Sequence, residues 1–307
     1  MEQRELMNYI EAMKETSHII GSKEVDHLVV PMLGSVPFID TMTIVDDDFD
    51  PTKAVYMPAS SRIEDVNSVI REWYINFLDD VVDIDSQNFP VIMGSDEVVS
   101  GASVMRCFYN IDLATQGKRK RIRQDLMSRL HTPDPEVSID AMDKIDMLSN
   151  NQHSHDIGIM RDRVSRGVYK IDKDIARQDS KFMVNLIRKA LDGKLIYQSV
   201  GVEDAKGKVT KEYNTMKEEG RVIPVPVDKI ITMDQPWLCP PRFRTVPGAK
   251  DGDYAIYTPE VYDFKVTPSY VEFLSAVARV VGKDPAKIAP VNMQAILDSN
   301  KYLNREI

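Results

Sequence analysis

The sequence has only two cysteines, Cys107 and Cys239, far apart and without metal-ligand spacing. That excludes a disulfide framework and a readable zinc site, and it suits a reducing compartment. No run approaches the roughly 18 apolar residues of a membrane span, and the first residues, MEQRELMNYIEAMKET, are mixed-charge rather than an apolar export signal. The expectation is a soluble cytoplasmic protein with no membrane partner. An excess of basic charge is also missing: 39 Lys and Arg stand against 48 Asp and Glu, a net charge of -9. General adhesion to nucleic acid or anionic lipid is therefore disfavoured. Internal repeats and low-complexity tracts are absent. What remains is ordinary globular material, 43% apolar and 28% charged over 307 residues, enough to bury a sizeable core and compatible with a homo-oligomer.

Residues 3–17 place Leu6, Tyr9, Ile10 and Met13 at helical spacing and predict an N-terminal helix lying on a core. The apolar run Asp26–Met32 reads as a buried strand entering a tight loop at Leu33-Gly34-Ser35, and Val36–Ile44 reads as the following helix. A second strand is expected over Lys53–Met57. Ser61 precedes Glu64 at capping-box spacing, and Ile63, Val66, Ile70, Trp73 and Phe77 then recur at steps of three and four, predicting a helix. Phe89–Met93 supplies a third strand. Strand, helix, strand, helix, strand in this order predicts a parallel sheet with helices on its faces. From about 110 to 192 the pattern becomes helical and charged. Strand signals resume at Lys194–Val200 and Arg221–Val227, where Pro224 and Pro226 suit a sheet edge. Two further helices are expected at Tyr270–Val281 and Val291–Tyr302.

The stretch richest in chemistry is Val91–Ser103, in which a strand delivers the adjacent carboxylates Asp96 and Glu97 and a small-residue turn opens a helix. Backbone N–H groups of such a turn, with a helix N-terminus behind them and hydroxyls at Ser100 and Ser103, form an anion cradle. Carboxylates beside a phosphate site make sense when the ligand also carries sugar hydroxyls or a divalent cation. This segment resembles the phosphoribosyl-pyrophosphate (PRPP) loop of type I phosphoribosyltransferases. The run Val29–Phe38 is similar to that family's pyrophosphate loop, and one strand-helix unit separates the two.

The resemblance covers residues 25–110 and, more loosely, the strands after 194. It implies an α/β fold with a parallel sheet of phosphoribosyltransferase type and a core of residues 1–110 and 193–266, while the helical pattern itself reads as a helical insertion at 111–192 and a C-terminal helical segment at 267–307. It also implies a glycosyltransferase reaction in which phosphoribose passes from PRPP to a nitrogenous base, with Mg2+ bound through pyrophosphate. Asp96 and Glu97 would be the catalytic pair. Leu33, Gly34, Ser35, Ser100, Gly101, Ala102 and Ser103 would bind PRPP and its phosphates. In this family the first loop often holds a non-proline cis peptide, here at Leu33-Gly34 or Gly34-Ser35. Ser60, Ser61 and Arg62 would face the same crevice, and Asp234 and Trp237 would contact the base. The turn Val98-Val99-Ser100-Gly101 is one residue shorter than the family's and lacks its aspartate, the base toward a purine. A non-catalytic nucleotide-sensing module and a structural protein are the competing readings.

Three other features have ordinary explanations. His153-Ser154-His155-Asp156 could ligate a metal from an extended strand, but its polar surroundings favour a solvated loop. The basic run Lys118–Arg123 reads as a solvated helix face rather than a nucleic-acid patch. Cys107, beside Phe108, reads as core.

Overall fold

A computed structural model describes residues 2–32, 34–59, 67–83, 89–192, 194–195, 197–231, 238–245, 257–288 and 293–302. The chain divides into two compact units, one of residues 1–77, 91–113 and 197–307 and one of residues 78–90 and 114–196.

In the first unit five strands form one all-parallel sheet: β1 (His27–Pro31), β2 (Ala54–Met57), β3 (Ile92–Val98), β4 (Tyr197–Asp204) and β5 (Val222–Val227), in the order β2-β1-β3-β4-β5. Parallel strands need crossover segments, and these cover both faces, which is why the inner strands are near-continuously buried. β1 exposes only part of His27, and every residue of β3 is buried. β5 is an edge strand, where Pro224 and Pro226 point to solvent while Val222, Val225 and Val227 point inward. Proline has no N–H to give a further strand, so the edge is closed to pairing on its own chemistry.

One face of the sheet carries α1 (Gln3–Ser22), α2 (Val36–Val45) and α10 (Pro268–Val280). Tyr9 of α1 and Tyr270 of α10 both meet Phe273, and Tyr270 donates a 2.5 Å hydrogen bond to Asp40 of α2. The other face carries α3 (Asn67–Val81), the first turns of α4 (Ala102–Leu130) and α9 (Lys211–Glu218). There Tyr74 of α3 donates to Cys107 Sγ of α4 at 3.2 Å, and Phe108 packs edge-on against Tyr197 of β4. The predicted Ile70, Trp73 and Phe77 are the buried stripe of α3, and Cys107 is buried core. The capping residues Ser61 and Glu64 lie outside the described residues.

The second unit is helical: the later turns of α4 with α5 (Pro135–Leu148), α6 (Ser154–Ser165), α7 (Val168–Ile171) and α8 (Lys173–Asp192). Leu126, Ile145, Ile157 and Ile187 form its apolar interior. Asp179 accepts from Arg163 at 2.7 and 2.8 Å and from Tyr169 at 2.7 Å, fastening α8 to α6 and α7. His155 and Asp156 occupy the first turn of α6 and not a loop, because His153 starts the helix; the alternation of an extended strand is never formed.

The sequence reading missed an antiparallel pair, β6 (Leu238–Thr245) and β7 (Tyr257–Val266). Pro240 and Pro241 hid the first strand, whereas Tyr257, Val261, Tyr262, Phe264 and Val266 carried a legible β signal. The last predicted helix is α11 (Met293–Asp298), continued by a 3-10 turn at Ser299–Tyr302. Among the described residues no helix is long and apolar enough to cross a membrane.

Candidate functional site

The order β2-β1-β3 means that the chain reverses direction of travel between β1 and β3, and in open parallel sheets ligands gather at the carboxyl end of such a switch point. Here the opening can be located by register. β1 pairs with β3 only as far as Val29 and Gly94, while β3 continues beside β4 to Val98 and Glu203. Beyond Gly94, β3 therefore has lost its neighbour on the β1 side. The loop after β1 turns back into α2 through Ser35, whose amide donates to Pro31 O at 3.3 Å.

Asp96 and Glu97 lie inside β3 and not in the turn after it, so successive side chains project to opposite faces. The two carboxylates have different hydrogen-bond partners. Glu97 faces α1, where Tyr9 donates to it at 2.5 Å in a buried bond. Asp96 faces the other way, toward the opening. Burial pushes its carboxyl well above the usual range, and the nearby Glu97 charge pushes it further; the Glu97 amide at 2.9 Å and the Ser35 hydroxyl pull against both. Ser35 is fully buried, does not cap α2, and approaches Asp96 without the alignment of a full hydrogen bond, leaving its Oγ without a formal partner. A buried hydroxyl from the loop after β1 and a buried carboxylate from β3 thus meet, each with hydrogen-bonding capacity to spare.

The glycines differ in their reasons. Gly101 has φ +79°, and a side chain there would run into the Tyr213 ring at 2.7 Å, so the tight entry to α4 requires glycine. At the exposed Gly34 an added Cβ would meet nothing within 4 Å among the described residues. The turn itself is pinned. Thr210 N donates to Ser100 O at 3.0 Å, and Ser100 Oγ accepts from Ala102 N at 3.3 Å. Ser100 and Ala102 are exposed and Ser103 is half-buried at the start of the 29-residue helix α4. The Gly34-Ser35 peptide is trans, since no cis peptide occurs among the described residues. Leu33, Ser60, Ser61, Arg62, Asp234 and Trp237 lie outside the described residues.

Beneath Asp96 is a polar layer that sequence reasoning did not find. Gly94 sits directly over Tyr197 and Ser199, and both of these hydroxyls are buried without a hydrogen-bond partner. Burial raises the Cys107 thiol to about 12, with Asp96 nearby adding to the effect, so the thiol is inert at neutral pH. The available signal was glycine inside a strand, at Gly94 and Gly201, which marks close approach; the Tyr213 hydroxyl fills the space that a Gly201 side chain would take.

The separate surroundings of the two carboxylates make a prediction. Tyr9→Phe removes the donor to Glu97 and leaves a buried acceptor less satisfied, with an expected loss of about 1–3 kcal/mol in urea denaturation. Phosphate-ligand affinity should stay unchanged in the folded variant. A drop in affinity without a drop in stability would place Glu97 in the site after all.

No family model, curated protein or solved structure matches this chain.

Proposed function

We propose that the opening between β1 and β3 binds PRPP and that the chain is an enzyme of phosphoribosyltransferase type, transferring phosphoribose to a nitrogenous base. The observation that carries this reading is the meeting of Ser35, from the loop after β1, with Asp96, from β3, at the switch point of a parallel sheet, next to the pinned Ser100–Ser103 turn at the start of α4. In this reading the amides of Gly101 and Ser103, with the Ser100 and Ser103 hydroxyls, hold the 5'-phosphate. Gly34 and Ser35 face the pyrophosphate, and Asp96 accepts from a ribose hydroxyl. Glu97 supports β3 from behind through Tyr9.

In the reaction the bond from C1 of the ribose to pyrophosphate oxygen breaks, the electron pair leaves with pyrophosphate, and the base nitrogen forms the new bond and gives up its proton to the departing pyrophosphate or to water. Catalysis is then positioning and electrostatic stabilisation of a positively charged sugar centre, with no protein nucleophile. Among the described residues no cluster of three or more His, Cys, Asp or Glu side chains could hold a metal. Asp96 alone at the opening fits magnesium carried in by pyrophosphate, where the ion would neutralise the leaving charge.

A second reading is favoured by one observation. The turn contains Val98 and Val99 and no carboxylate, so nothing in it can take a proton from an incoming base. The same opening would then serve a nucleotide-sensing module.

Thermal unfolding with and without PRPP and magnesium tests both readings. A ligand at 100 times its dissociation constant stabilises by about 2.7 kcal/mol. A saturable rise in Tm that needs magnesium is expected, and release of pyrophosphate on adding bases separates enzyme from sensor. No shift at saturating PRPP would overturn both.

A further inference from the structure

The basic run Lys118–Arg123 is sorted by the helix into three different environments. Lys118 and Arg121, three residues apart, both bind Asp79, at 2.9 and 2.8 Å. Arg119 turns inward, and its Nη2 donates to the carbonyls of Lys194 and Leu195 at 2.5 and 3.3 Å while its Nε is buried without a partner. Lys120 and Arg123 share one face of α4 with Arg119, and this face meets Arg188 of α8. Together with Leu191 and Asp192 they line a concavity of about 220 Å3 within the helical unit.

Four cationic heads thus surround one small space that contains a single carboxylate. Lys120, Arg123 and Arg188 form no ion pair among the described residues, in a chain with nine more acids than bases. Arg119 and Arg123 stand four residues apart on one helix, a spacing at which like charges repel. A solvated helix face would spread such charges or pair them, as Lys118 and Arg121 are paired. Convergence of unpaired guanidinium and ammonium groups on a concave surface is the arrangement that receives phosphate oxygens, since the planar guanidinium offers two parallel donors. The concavity has room for a short phosphate chain, and its lining is cationic and not aromatic.

We propose that Lys120, Arg123 and Arg188, backed by Arg119, form a second anion site for a compact phosphate chain, either free polyphosphate or the phosphate tail of a nucleotide. The site lies wholly within the helical unit and does not depend on the PRPP reading of the sheet opening.

Inorganic tripolyphosphate is the probe, titrated calorimetrically into the full chain in EDTA, which removes the magnesium that PRPP binding would need. Saturable binding is expected. The triple variant Lys120→Gln, Arg123→Gln, Arg188→Gln should weaken it at least about tenfold, since several charge-assisted hydrogen bonds are lost. A control with equal charge loss, Arg4→Gln, Lys14→Gln, Lys23→Gln, removes exposed cations on and just after α1 and should leave it intact. Asp96→Asn should also leave it intact, which keeps this test separate from the sheet opening. ATP binding with equal affinity and the same residue dependence would identify the nucleotide tail as the source; tripolyphosphate alone would identify the free chain. No binding to the wild type, equal weakening in the control, or tighter binding of a single-stranded oligonucleotide through the same three residues would each overturn the proposal. If the triple variant fails to fold, Arg188→Lys and Lys120→Gln singly supply the comparison, and no change in either overturns it too.

Discussion

Asp96→Asn is expected to make the unliganded protein more stable at neutral pH while weakening its phosphoribosyl ligand. The sign follows from burial. A carboxyl whose folded pKa lies above its ordinary value of 3.8 contributes stability that is fully present below that value and is lost as pH rises through the folded pKa. As pH rises, ionising Asp96 in the wild type is opposed by desolvation and by Glu97, relieved only in part by the Glu97 amide and Ser35. Asparagine is nearly isosteric and carries no charge. Urea denaturation should show the variant more stable by at least about 1 kcal/mol at pH 8, the gap closing toward pH 4. Binding should move the other way: losing one charged hydrogen bond to a ribose hydroxyl weakens affinity roughly 10- to 150-fold. A gain in stability combined with a loss in binding is a pattern that an ordinary surface turn would not produce. A variant less stable than wild type at every pH would show that the ionised carboxylate is well satisfied within the fold and is not held in reserve for a ligand.

Gly94→Ala should be costly despite adding one methyl group. Its Cβ would collide with the Tyr197 hydroxyl and stand 2.5 Å from Ser199 Oγ, in the middle strand of a sheet paired on both sides at that residue. Neither strand can shift without breaking ladder bonds, so the expected loss is about 1–3 kcal/mol. Tyr197→Phe removes the nearest atom. In the double variant part of the loss should return, and a coupling above about 0.5 kcal/mol would report the contact directly. The ring carbon that bore the hydroxyl still lies 2.8 Å away, so rescue should be incomplete. Strict additivity would mean that the strand relaxes around the methyl and that the polar layer under Asp96 is not tightly packed.

Hydrophobic periodicity and turn chemistry in the sequence determined which segments became the five parallel strands and most of the helices. The register of Leu6, Tyr9, Ile10 and Met13 required one buried helical face, and the prolines of β5 required an edge. Local signals of that kind act over a few residues, and they also marked Asp96, Glu97 and the Ser100–Ser103 turn as chemistry-bearing, whereas Ser35 stood out only through the family resemblance. They misjudged how far β3 runs. Polar residues inside a strand look like the end of it, yet Asp96 and Glu97 remain in the ladder because β4 continues to pair with them through Val98.

Only tertiary structure then decided which groups share a space. Alternation across β3 sent Glu97 to Tyr9, 88 residues away in sequence, and Asp96 to Ser35, so two adjacent carboxylates acquired different partners. The same holds for the basic run, where helix rotation and the position of α8 set Lys118 and Arg121 against Asp79 and turned Lys120 and Arg123 toward Arg188. Sequence spacing fixes the angle between neighbours on one element. Which partner waits at that angle depends on packing between elements distant in the chain, and burial, pKa and the room left for a ligand follow from that partner.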